Sequence, residues 1–289
     1  MQVGFDFNIL ECPYCHGALQ KIGKTLFCDQ RHAFDIARSG YINLQPARSR
    51  TSLVPGDNKK QLLRRASFLA KGFFDFVSRR MVETFLRVRP DASAIQVLDA
   101  GCGTGYHLER VVMGLSEGDV RCGGLGLDVS KGAVQIALQS PSVDGCIISN
   151  IWERWPIRSA AVDCLINVFA PKNFGEMARV LSADGLLCIA YPGEEHLAEL
   201  RPIVPLMGIR KQKRSEYLIE AKRVFEDVWL EEGCDVINLS RCDMSDLVLM
   251  GPNAIQLASE NSLDPLPECM DVTIQIEILF ARGAKLARP

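Results

Sequence analysis

The stretch that decides the fold runs Val97-Leu98-Asp99-Ala100-Gly101-Cys102-Gly103-Thr104-Gly105-Tyr106. An apolar run typical of a buried strand passes directly into a turn with three glycines, and glycine lets a backbone bend sharply and approach a ligand closely. Tyr106 stands where the dinucleotide-binding fingerprint requires its third glycine, and no Lys-Ser/Thr pair of a phosphate-binding P-loop follows. The turn therefore disfavours hydride transfer and ATP hydrolysis as the function.

The chain beyond Pro90 alternates short apolar runs with helical stretches. The runs are residues 96–99, 124–128, 146–149, 162–169 and 186–191. Alternation of this kind predicts an α/β fold, a parallel sheet with crossover helices. Asp128 ends the second run, where a carboxylate can accept hydrogen bonds from both hydroxyls of a ribose. Strict alternation over residues 272–280 predicts one more, half-buried strand near the end.

Four residues of metal-ligand type stand near the start, namely Cys12, Cys15, Cys28 and His32. Their spacing is that of a tetrahedral zinc site in which each close pair occupies one turn. His16 is a competing ligand, but it adjoins Cys15, and adjacent residues rarely chelate one tetrahedral ion, so we prefer His32. With four protein ligands the site would be structural, and metal binding would supply folding free energy to a segment with little core of its own.

The other eight of the 11 cysteines show no second set of pairs at ligand spacing. An odd number of cysteines without an export signal argues against a disulfide framework, so we interpret them as core or surface thiols. No apolar run reaches the ~18 residues that a membrane span needs, and the first residues lack the basic and apolar regions of a signal peptide. We therefore expect no membrane association and a cytoplasmic location, with an organelle left open.

Charge is distributed unevenly along the 289 residues. Residues 1–90 contain 15 Lys and Arg against 7 Asp and Glu, whereas the remainder contains 18 against 28. A basic end favours a polyanionic partner, because Lys and Arg near phosphates release condensed counterions on binding. Charge alone leaves open the alternative of a basic, solvated face without a partner.

The organisation of the chain suggests three parts. Residues 48–57 have the composition of a linker, and apolar residues at helical spacing between 59 and 88 predict one or two amphipathic helices that carry Lys and Arg. We accordingly divide the chain into a zinc finger at 1–46, a linker with a basic helical segment at 47–90, and an α/β domain at 91–289.

Several short segments repeat the signature of one known family. They are Cys-Pro-x-Cys at 12–15, Arg-His-x-Phe-Asp at 31–35, Gly-Tyr-Ile-Asn-Leu at 40–44, Pro-Gly-Asp at 55–57, Asp99–Gly105, Leu-Asp-Val-Ser at 127–130, Phe-Ala-Pro at 169–171 and His-Leu-Ala-Glu-Leu at 196–200. In these segments the chain resembles the RlmA-type 23S rRNA (guanine-N1)-methyltransferases, in which a zinc finger precedes a domain that binds S-adenosylmethionine (SAM). The glycine turn itself resembles motif I of class I methyltransferases.

The resemblance implies a class I SAM-methyltransferase (Rossmann-like) domain with a small N-terminal zinc-binding domain. It implies zinc ligation by the four residues named above, SAM contacts at Gly103, Thr104 and His196, and a cofactor-side aromatic at Phe74, where the family has tyrosine. The complete expected cofactor-binding set is Phe74, Asp99, Gly101, Gly103, Thr104, Gly105, Asp128, Asn150 and His196. Asn150 is alternatively a turn residue, and His196 a packed core histidine.

Asn167 and Phe169 close the fourth strand, at the edge of the cleft where methyl acceptors lie in this class. Phe169 is expected to stack on a base, or else to be a core aromatic; Asn167 or the backbone of Ala170 is expected to hold the Watson-Crick edge. Guanine N1 carries a proton that a base must accept, and the sequence does not identify a residue for this role. Because N1 lies on the pairing edge, the target must be unpaired or flipped out of a stack.

The implied partner is a hairpin loop of 23S rRNA, naked or in an assembling large ribosomal subunit, and a second copy of the chain is a further candidate. The phosphates are expected to contact the zinc finger, the basic helix over 59–89 and the cluster Arg210, Lys211, Lys213 and Arg214. Two other functions stay open: a SAM-dependent methyltransferase for a small molecule or protein, and a non-catalytic zinc-finger RNA-binding protein.

Overall fold

The computed structural model describes residues 7–46, 57–117, 121–208, 212–257 and 260–285. The elements in chain order are β1 (Gln20–Ile22), β2 (Thr25–Phe27), β3 (Ala33–Asp35), β4 (Ile42–Asn43), α1 (Lys59–Leu69), α2 (Asp75–Val88), β5 (Ala94–Ala100), α3 (Tyr106–Ser116), β6 (Arg121–Asp128), α4 (Lys131–Ala137), β7 (Gly145–Ile148), β8 (Val162–Val168), α5 (Phe174–Val180), β9 (Leu181–Pro192), α6 (Lys213–Val224), β10 (Phe225–Ser240), α7 (Arg241–Leu249), α8 (Asn253–Gln256) and β11 (Cys269–Ala284). Short 3-10 helices cover Phe7–Ile9, Ala198–Leu200 and Glu260–Leu263. The Pro55-Gly56 linker and the cations Arg210 and Lys211 lie outside the described residues.

The large sheet has eight strands in the order β10-β11-β9-β8-β5-β6-β7-β4. Strands from β9 to β4 pair in parallel, while β11 pairs antiparallel with both of its neighbours. The predicted α/β fold and the predicted late strand are thus confirmed. From β5 the chain proceeds through β6 and β7 on one side and then returns to β8 and β9 on the other. This reversal places a ligand crevice at the carboxyl end of β5, where the glycine turn follows.

Each face of the sheet buries its own apolar layer, because successive side chains of a strand point to opposite faces. On β5, Val97 belongs to one core and Leu98 to the other. Helices α2 and α3 contribute to the first core. The second core contains Trp155, fully buried, together with side chains of α5 and of the N-terminal segment. Strands that are buried on both faces consist of nearly continuous apolar residues, which is why the sequence pattern predicted them.

The N-terminal segment is built onto the large sheet. Strands β1 to β3 form a separate antiparallel sheet, whereas β4 pairs in parallel with β7 and so extends the large one. Leu10 forms an antiparallel bridge with Ile157, and Leu26 of β2 shares a core with Trp155. A domain boundary at 46/47 stays a prediction. Although β4 precedes that boundary in the chain, its strand pairing joins it to the large sheet.

The predicted basic segment forms two helices. Asn58 caps α1 in a reciprocal capping box with Gln61, and Gly72, at φ +82°, lies in the turn before α2. Five cations of this segment form ion pairs with carboxylates of the chain. They are Arg64, Arg65, Lys71, Arg80 and Arg87. No helix in the described ranges combines the length and the apolar surface that a membrane crossing requires.

Candidate zinc site and cofactor cleft

The four expected metal ligands converge on one point. The ligand atoms of Cys12, Cys15, Cys28 and His32 all lie within 4.8 Å of one another. The Cys15 and Cys28 sulfurs are 3.5 Å apart, and His32 Nδ1 is 3.3 Å from Cys28 Sγ and 3.4 Å from Cys12 Sγ. Bond lengths of ~2.3 Å to sulfur and ~2.0 Å to nitrogen give a tetrahedron with edges of about 3.5–3.8 Å. The arrangement therefore fits a zinc ion with four protein ligands.

Two tight turns produce this convergence. His16 donates its backbone N–H to Cys12 O at 2.8 Å, and Arg31 donates likewise to Cys28 O at 2.8 Å. Both donors have positive φ, 58° at His16 and 62° at Arg31. The His16 side chain is half exposed and its Nδ1 lies 3.5 Å from Glu11 Oε1, outside the ligand cluster. The geometry thus favours His32 over His16 as the fourth ligand.

The glycine turn requires glycine because of its neighbours. Gly101 has φ +86°, and a Cβ there would lie 2.4 Å from the Cβ of Ala170. Gly105, at φ +78°, is packed equally closely, since its Cβ would lie 2.7 Å from that of Ala137. Left-handed backbone and close approach both exclude larger residues. The turn leads straight into α3, whose N-terminus faces the crevice, with Thr104 half-buried between two glycines.

The two strand-end acids differ in their hydrogen bonding. Asp128 accepts from the Gly103 N–H at 2.9 Å with one oxygen and from the Ser130 N–H at 2.8 Å with the other. Asp99 is 2% exposed, and its Oδ1 has no partner among the described residues. Burial raises the pKa of both carboxyls, and the Asp128 charge adds to the increase at Asp99. Asp128 thus holds the glycine turn by hydrogen bonds to backbone N–H groups, whereas Asp99 keeps one carboxylate oxygen available to accept a hydrogen bond.

Three rings line the cleft beside the turn. Phe74 is buried at the start of α2, and its ring lies 5.8 Å from that of Phe169 and 6.4 Å from that of His196, edge-on to both. Phe169 and His196 are stacked at 29° with centroids 6.4 Å apart. Phe169 is 43% exposed and adopts φ +53°, a backbone conformation that costs a non-glycine residue free energy. It therefore presents an open aromatic face, in contrast to the alternative of a core aromatic.

His196 is placed by backbone contacts and keeps a free ring nitrogen. Its Nδ1 is buried without a partner among the described residues. Burial lowers the pKa of His196 to about 4, and the nearby Arg201 adds to the decrease, so the imidazole is neutral at pH 7. A neutral imidazole can donate or accept one hydrogen bond at that nitrogen, depending on its tautomer. The alternative of a merely packed histidine leaves this polar atom unexplained.

Asn167 and Asn150, two of the expected site residues, both form hydrogen bonds within the chain. Asn167 is fully buried, and its Nδ2 donates to Ala100 O at 2.6 Å and to Pro171 O at 3.0 Å. Its donors thus join the glycine turn to the segment after β8, and only Oδ1 remains without a partner. Asn150 accepts the Trp152 N–H at 3.0 Å, which is an Asx turn and matches the turn alternative. Neither role as a ligand contact has been tested, and both stay predictions.

Sequence reasoning missed two contacts at the turn. The Arg65 guanidinium lies 3.4 Å from the position of a Cβ on Gly103 and also binds Met250 O and Asp57. Tyr106 donates its hydroxyl to Asp75, the residue that follows Phe74. The only sequence signals were a basic helix and a tyrosine in place of glycine, and neither indicates its partner. These contacts tie α1 and α2 to the cofactor turn.

The cleft has the properties of a nucleoside-type site. Three buried polar atoms without partners among the described residues, Asp99 Oδ1, Asn167 Oδ1 and His196 Nδ1, lie at or beyond the carboxyl ends of adjacent strands. The glycine turn and the strand-end carboxylate of Asp128 lie beside them, joined by the Gly103 N–H. Buried polar atoms are normally hydrogen-bonded, so this set fits a polar ligand such as SAM.

Comparisons with known proteins agree with this geometry. The description "RlmA, N-terminal", a zinc ribbon, matches residues 10–53. A 23S rRNA (guanine(748)-N(1))-methyltransferase from Streptomyces fradiae is 30% identical over 94% of this chain and 96% of its own. A relative from Micromonospora griseorubida, also named as a 23S rRNA guanine-N1-methyltransferase, is 34% identical over 85% of this chain and 86% of its own.

A solved structure of loganic acid methyltransferase with SAH shares the fold, with a TM-score of 0.50 at 13% identity over 81% of this chain and 99% of that chain. The expectations of a class I methyltransferase fold, a zinc ribbon, and SAM and zinc as cofactors are thereby confirmed. The identity over nearly the whole chain decides the family. The chain belongs to the 23S rRNA (guanine-N1)-methyltransferases.

Proposed function

We propose that this chain transfers the methyl group of SAM to N1 of an unpaired guanine in a hairpin loop of 23S rRNA. The observation that carries the proposal is the open face of Phe169, stacked on His196 beside the glycine turn. An exposed ring next to the methyl donor is suited to hold a flipped base by stacking. The activated methyl group of SAM needs little polarisation, so positioning of the acceptor and exclusion of water are the main tasks of the protein.

The expected site residues then divide into three groups. Asp99, Gly101, Gly103, Thr104, Gly105, Asp128, Asn150, Phe74 and His196 hold SAM. Phe169 stacks on the target guanine, and Asn167 positions it by fixing the segment after β8 through two backbone carbonyls. Cys12, Cys15, Cys28 and His32 hold a structural zinc ion. The division into 1–46, 47–90 and 91–289 is part of this proposal.

The N-terminal zinc ribbon is a better candidate for contacts with RNA phosphates than helices α1 and α2. Lys21, Lys24, Arg31 and Arg38 are exposed and form no ion pair with a carboxylate in the described part of the chain. In the segment of α1 and α2, by contrast, four cations of the helices and Lys71 in the turn between them are already paired. Pairing removes much of the free energy that a cation would gain from a phosphate. The RNA is therefore expected to lie across the ribbon toward the cleft, in the cytoplasm where ribosomes assemble.

The test is methyl transfer from labelled SAM to 23S rRNA lacking the modification, both naked and in large-subunit particles. Reverse transcription is expected to stop at a single guanine, and digestion to nucleosides is expected to release 1-methylguanine. A methyl group on another base, or no transfer despite measured SAM and zinc binding, would overturn the proposal. A matched variant, Phe169→Leu, should bind SAM as the wild type does and lose most of the transfer.

A salt titration separates the RNA substrate from a small molecule or protein. Affinity for the RNA should fall steeply between 50 and 200 mM salt, with a slope that Lys24→Ala and Arg31→Ala each reduce by ~1. Arg64→Ala is the matched control, because Arg64 is paired with Asp246 at 3.2 Å. A slope that does not change in the ribbon variants would argue against this binding surface.

A further inference from the structure

The N1 proton of guanine needs an acceptor, and one amine beside the cleft has the required surroundings. We propose that Lys172 is the base that accepts this proton, an inference that rests on the proposed function. The residue follows β8 by four positions, within the segment that Asn167 ties to the glycine turn. No motif indicated it, because a single lysine after a proline carries no sequence signal.

The position of Lys172 is fixed by Ala170. The Cβ of Ala170 would be 2.4 Å from a Cβ on Gly101, so this residue lies directly against the cofactor turn. Lys172 Nζ donates to the backbone oxygen of the same Ala170 at 2.7 Å. The amine thus stands one backbone residue away from the turn. In the proposed role, Nζ exchanges the Ala170 carbonyl for the N1–H of the bound guanine.

The surroundings of the amine disfavour its charged form. Helix α6 faces it with a second cation, Lys213, which repels the ammonium form. The Tyr217 ring of the same helix, whose centroid lies 5.1 Å from Nζ, acts in the opposite direction, because a cation over an aromatic face is attracted to it. Lys172 forms no ion pair with a carboxylate within the described ranges, unlike Lys71 with Asp243. The Glu277 carboxylate, beside Tyr191, pairs through Oε1 with Arg214 at 3.2 Å, and its Oε2 has no partner among the described residues. Burial, with the repulsion from Lys213 in addition, lowers the pKa of Lys172 to about 7.

A base with a pKa near the working pH combines a substantial neutral fraction with a real affinity for protons. The neutral amine of Lys172 takes the N1 proton with its lone pair. The electron pair of N1 forms the bond to the methyl carbon, and the S–C bond breaks with its pair remaining on sulfur. The products are 1-methylguanine, S-adenosylhomocysteine and an ammonium group, which returns its proton to water.

Single-turnover rates at saturating SAM and RNA, measured from pH 5.5 to 9, test this role. The wild-type rate should rise to a plateau with a midpoint near pH 7. Lys172→Met should lower the plateau by ~100-fold or more, which is the usual effect of removing a general base. Its residual rate should keep rising toward alkaline pH, where guanine N1 loses its proton unaided. Affinities for SAM and RNA should stay within about threefold, as expected for a group that acts only in the chemical step.

Three further variants discriminate the base from a mere cation. Lys172→Arg keeps the charge but has no proton-accepting form, so it should be as slow as Lys172→Met. Lys213→Met removes the repulsion and should move the midpoint to higher pH. Lys285→Met is the matched control, since Lys285 also donates to a backbone carbonyl, Lys222 O at 2.8 Å, but stands at the far end of β11; it should leave the profile unchanged.

The outcomes separate this role from the function on which it rests. Full activity of Lys172→Arg would mean that a permanent positive charge at this position is sufficient, as in a contact with an RNA phosphate, and would overturn the proposal that Lys172 is the base. A wild-type rate in Lys172→Met would do so as well, while leaving the methyl transfer itself established. Absence of 1-methylguanine with the wild-type protein would overturn the proposed function and the base together.

Discussion

The zinc site and the cofactor cleft both contain buried polar groups, but only one of them is closed. In the ribbon, four ligand atoms lie within 4.8 Å of one another, so an ion would saturate them all and leave no open position. In the cleft, Asp99, Asn167 and His196 each keep one buried polar atom without a partner among the described residues. A closed set indicates a structural role, and an open set indicates a ligand that comes and goes.

The largest expected effect is on the closed site. Cys28→Ser should remove zinc and unfold the ribbon, because apparent zinc-binding free energies of ~10–16 kcal/mol contribute to folding in such small sites. Zinc content by mass spectrometry and amide exchange over β1 to β3 measure the loss. Since β8 and β9 lie within the large sheet, their exchange should change much less.

His16→Ala and His32→Ala form a matched pair for the same site. The His16 side chain is half exposed beside Glu11, so its removal should leave the zinc content unchanged. His32→Ala should lose zinc as Cys28→Ser does. Retention of zinc in His32→Ala together with its loss in His16→Ala would reverse the ligand assignment.

The second prediction concerns the open site. Gly101→Ala should weaken SAM binding by ~100-fold or more, because its Cβ would overlap Ala170 at 2.4 Å and its φ of +86° is strained for alanine. Gly23→Ala is the control, as Gly23 has φ +63° with nothing within 4 Å of its Cβ. Both variants place alanine at a positive φ, but only Gly101→Ala also brings its Cβ into overlap with Ala170. Calorimetry with S-adenosylhomocysteine should find normal affinity in Gly23→Ala; equal losses in both would attribute the effect to strain alone.

The same contrast explains how much the sequence could predict. The zinc ligands lie in two local pairs, and spacing along the chain determines whether such pairs share one turn. The glycine turn and Asp128 were equally accessible, since a buried strand followed by a turn fixes which end of the sheet they occupy. The sheet strands were found because their apolar runs are buried on both faces.

Contacts between distant segments were not accessible. Nothing in the sequence pairs Ile42 of β4 with Ile147 of β7, because a two-residue strand has no periodicity. The cations of the segment that forms α1 and α2 looked available for RNA, yet Lys71 between the helices and Arg87 on α2 form ion pairs with carboxylates more than a hundred residues away. Lys172 could not be recognised either, since its surroundings come from α6.

The third prediction uses two buried histidines that differ in their partners. His107 Nδ1 lies 2.8 Å from Ser78 Oγ, whereas His196 Nδ1 has no partner among the described residues. Burial lowers the pKa of each to about 4. In the unfolded chain they take up a proton near pH 6.5, so the free energy of unfolding should fall from pH 6.5 toward 4, by at most ~3 kcal/mol for each.

Urea denaturation between pH 4.5 and 7.5 measures this decrease, and each of His107→Asn and His196→Asn should make it shallower. Above about pH 7.5 both histidines are neutral in both states and add no pH dependence. The two variants should differ in SAM affinity: His196→Asn loses about tenfold, and His107→Asn retains it. Equal affinities in both variants would mean that the open nitrogen of His196 does not contact SAM.

The smallest expected effect separates a turn residue from a ligand contact at Asn150. Its Oδ1 accepts the Trp152 N–H, and its Nδ2 donates to Glu153 at 3.3 Å. Asn150→Asp keeps the acceptor that forms the turn but removes the donor, so a residue that only shapes the turn tolerates the change. If Nδ2 exchanges Glu153 for adenine when SAM binds, affinity should fall by about three- to tenfold, the value of one hydrogen bond of ~1 kcal/mol. Titration of SAM binding in Asn150→Asp and in Asn150→Ala decides between the two, because loss of affinity only in Asn150→Ala assigns the residue to the turn alone.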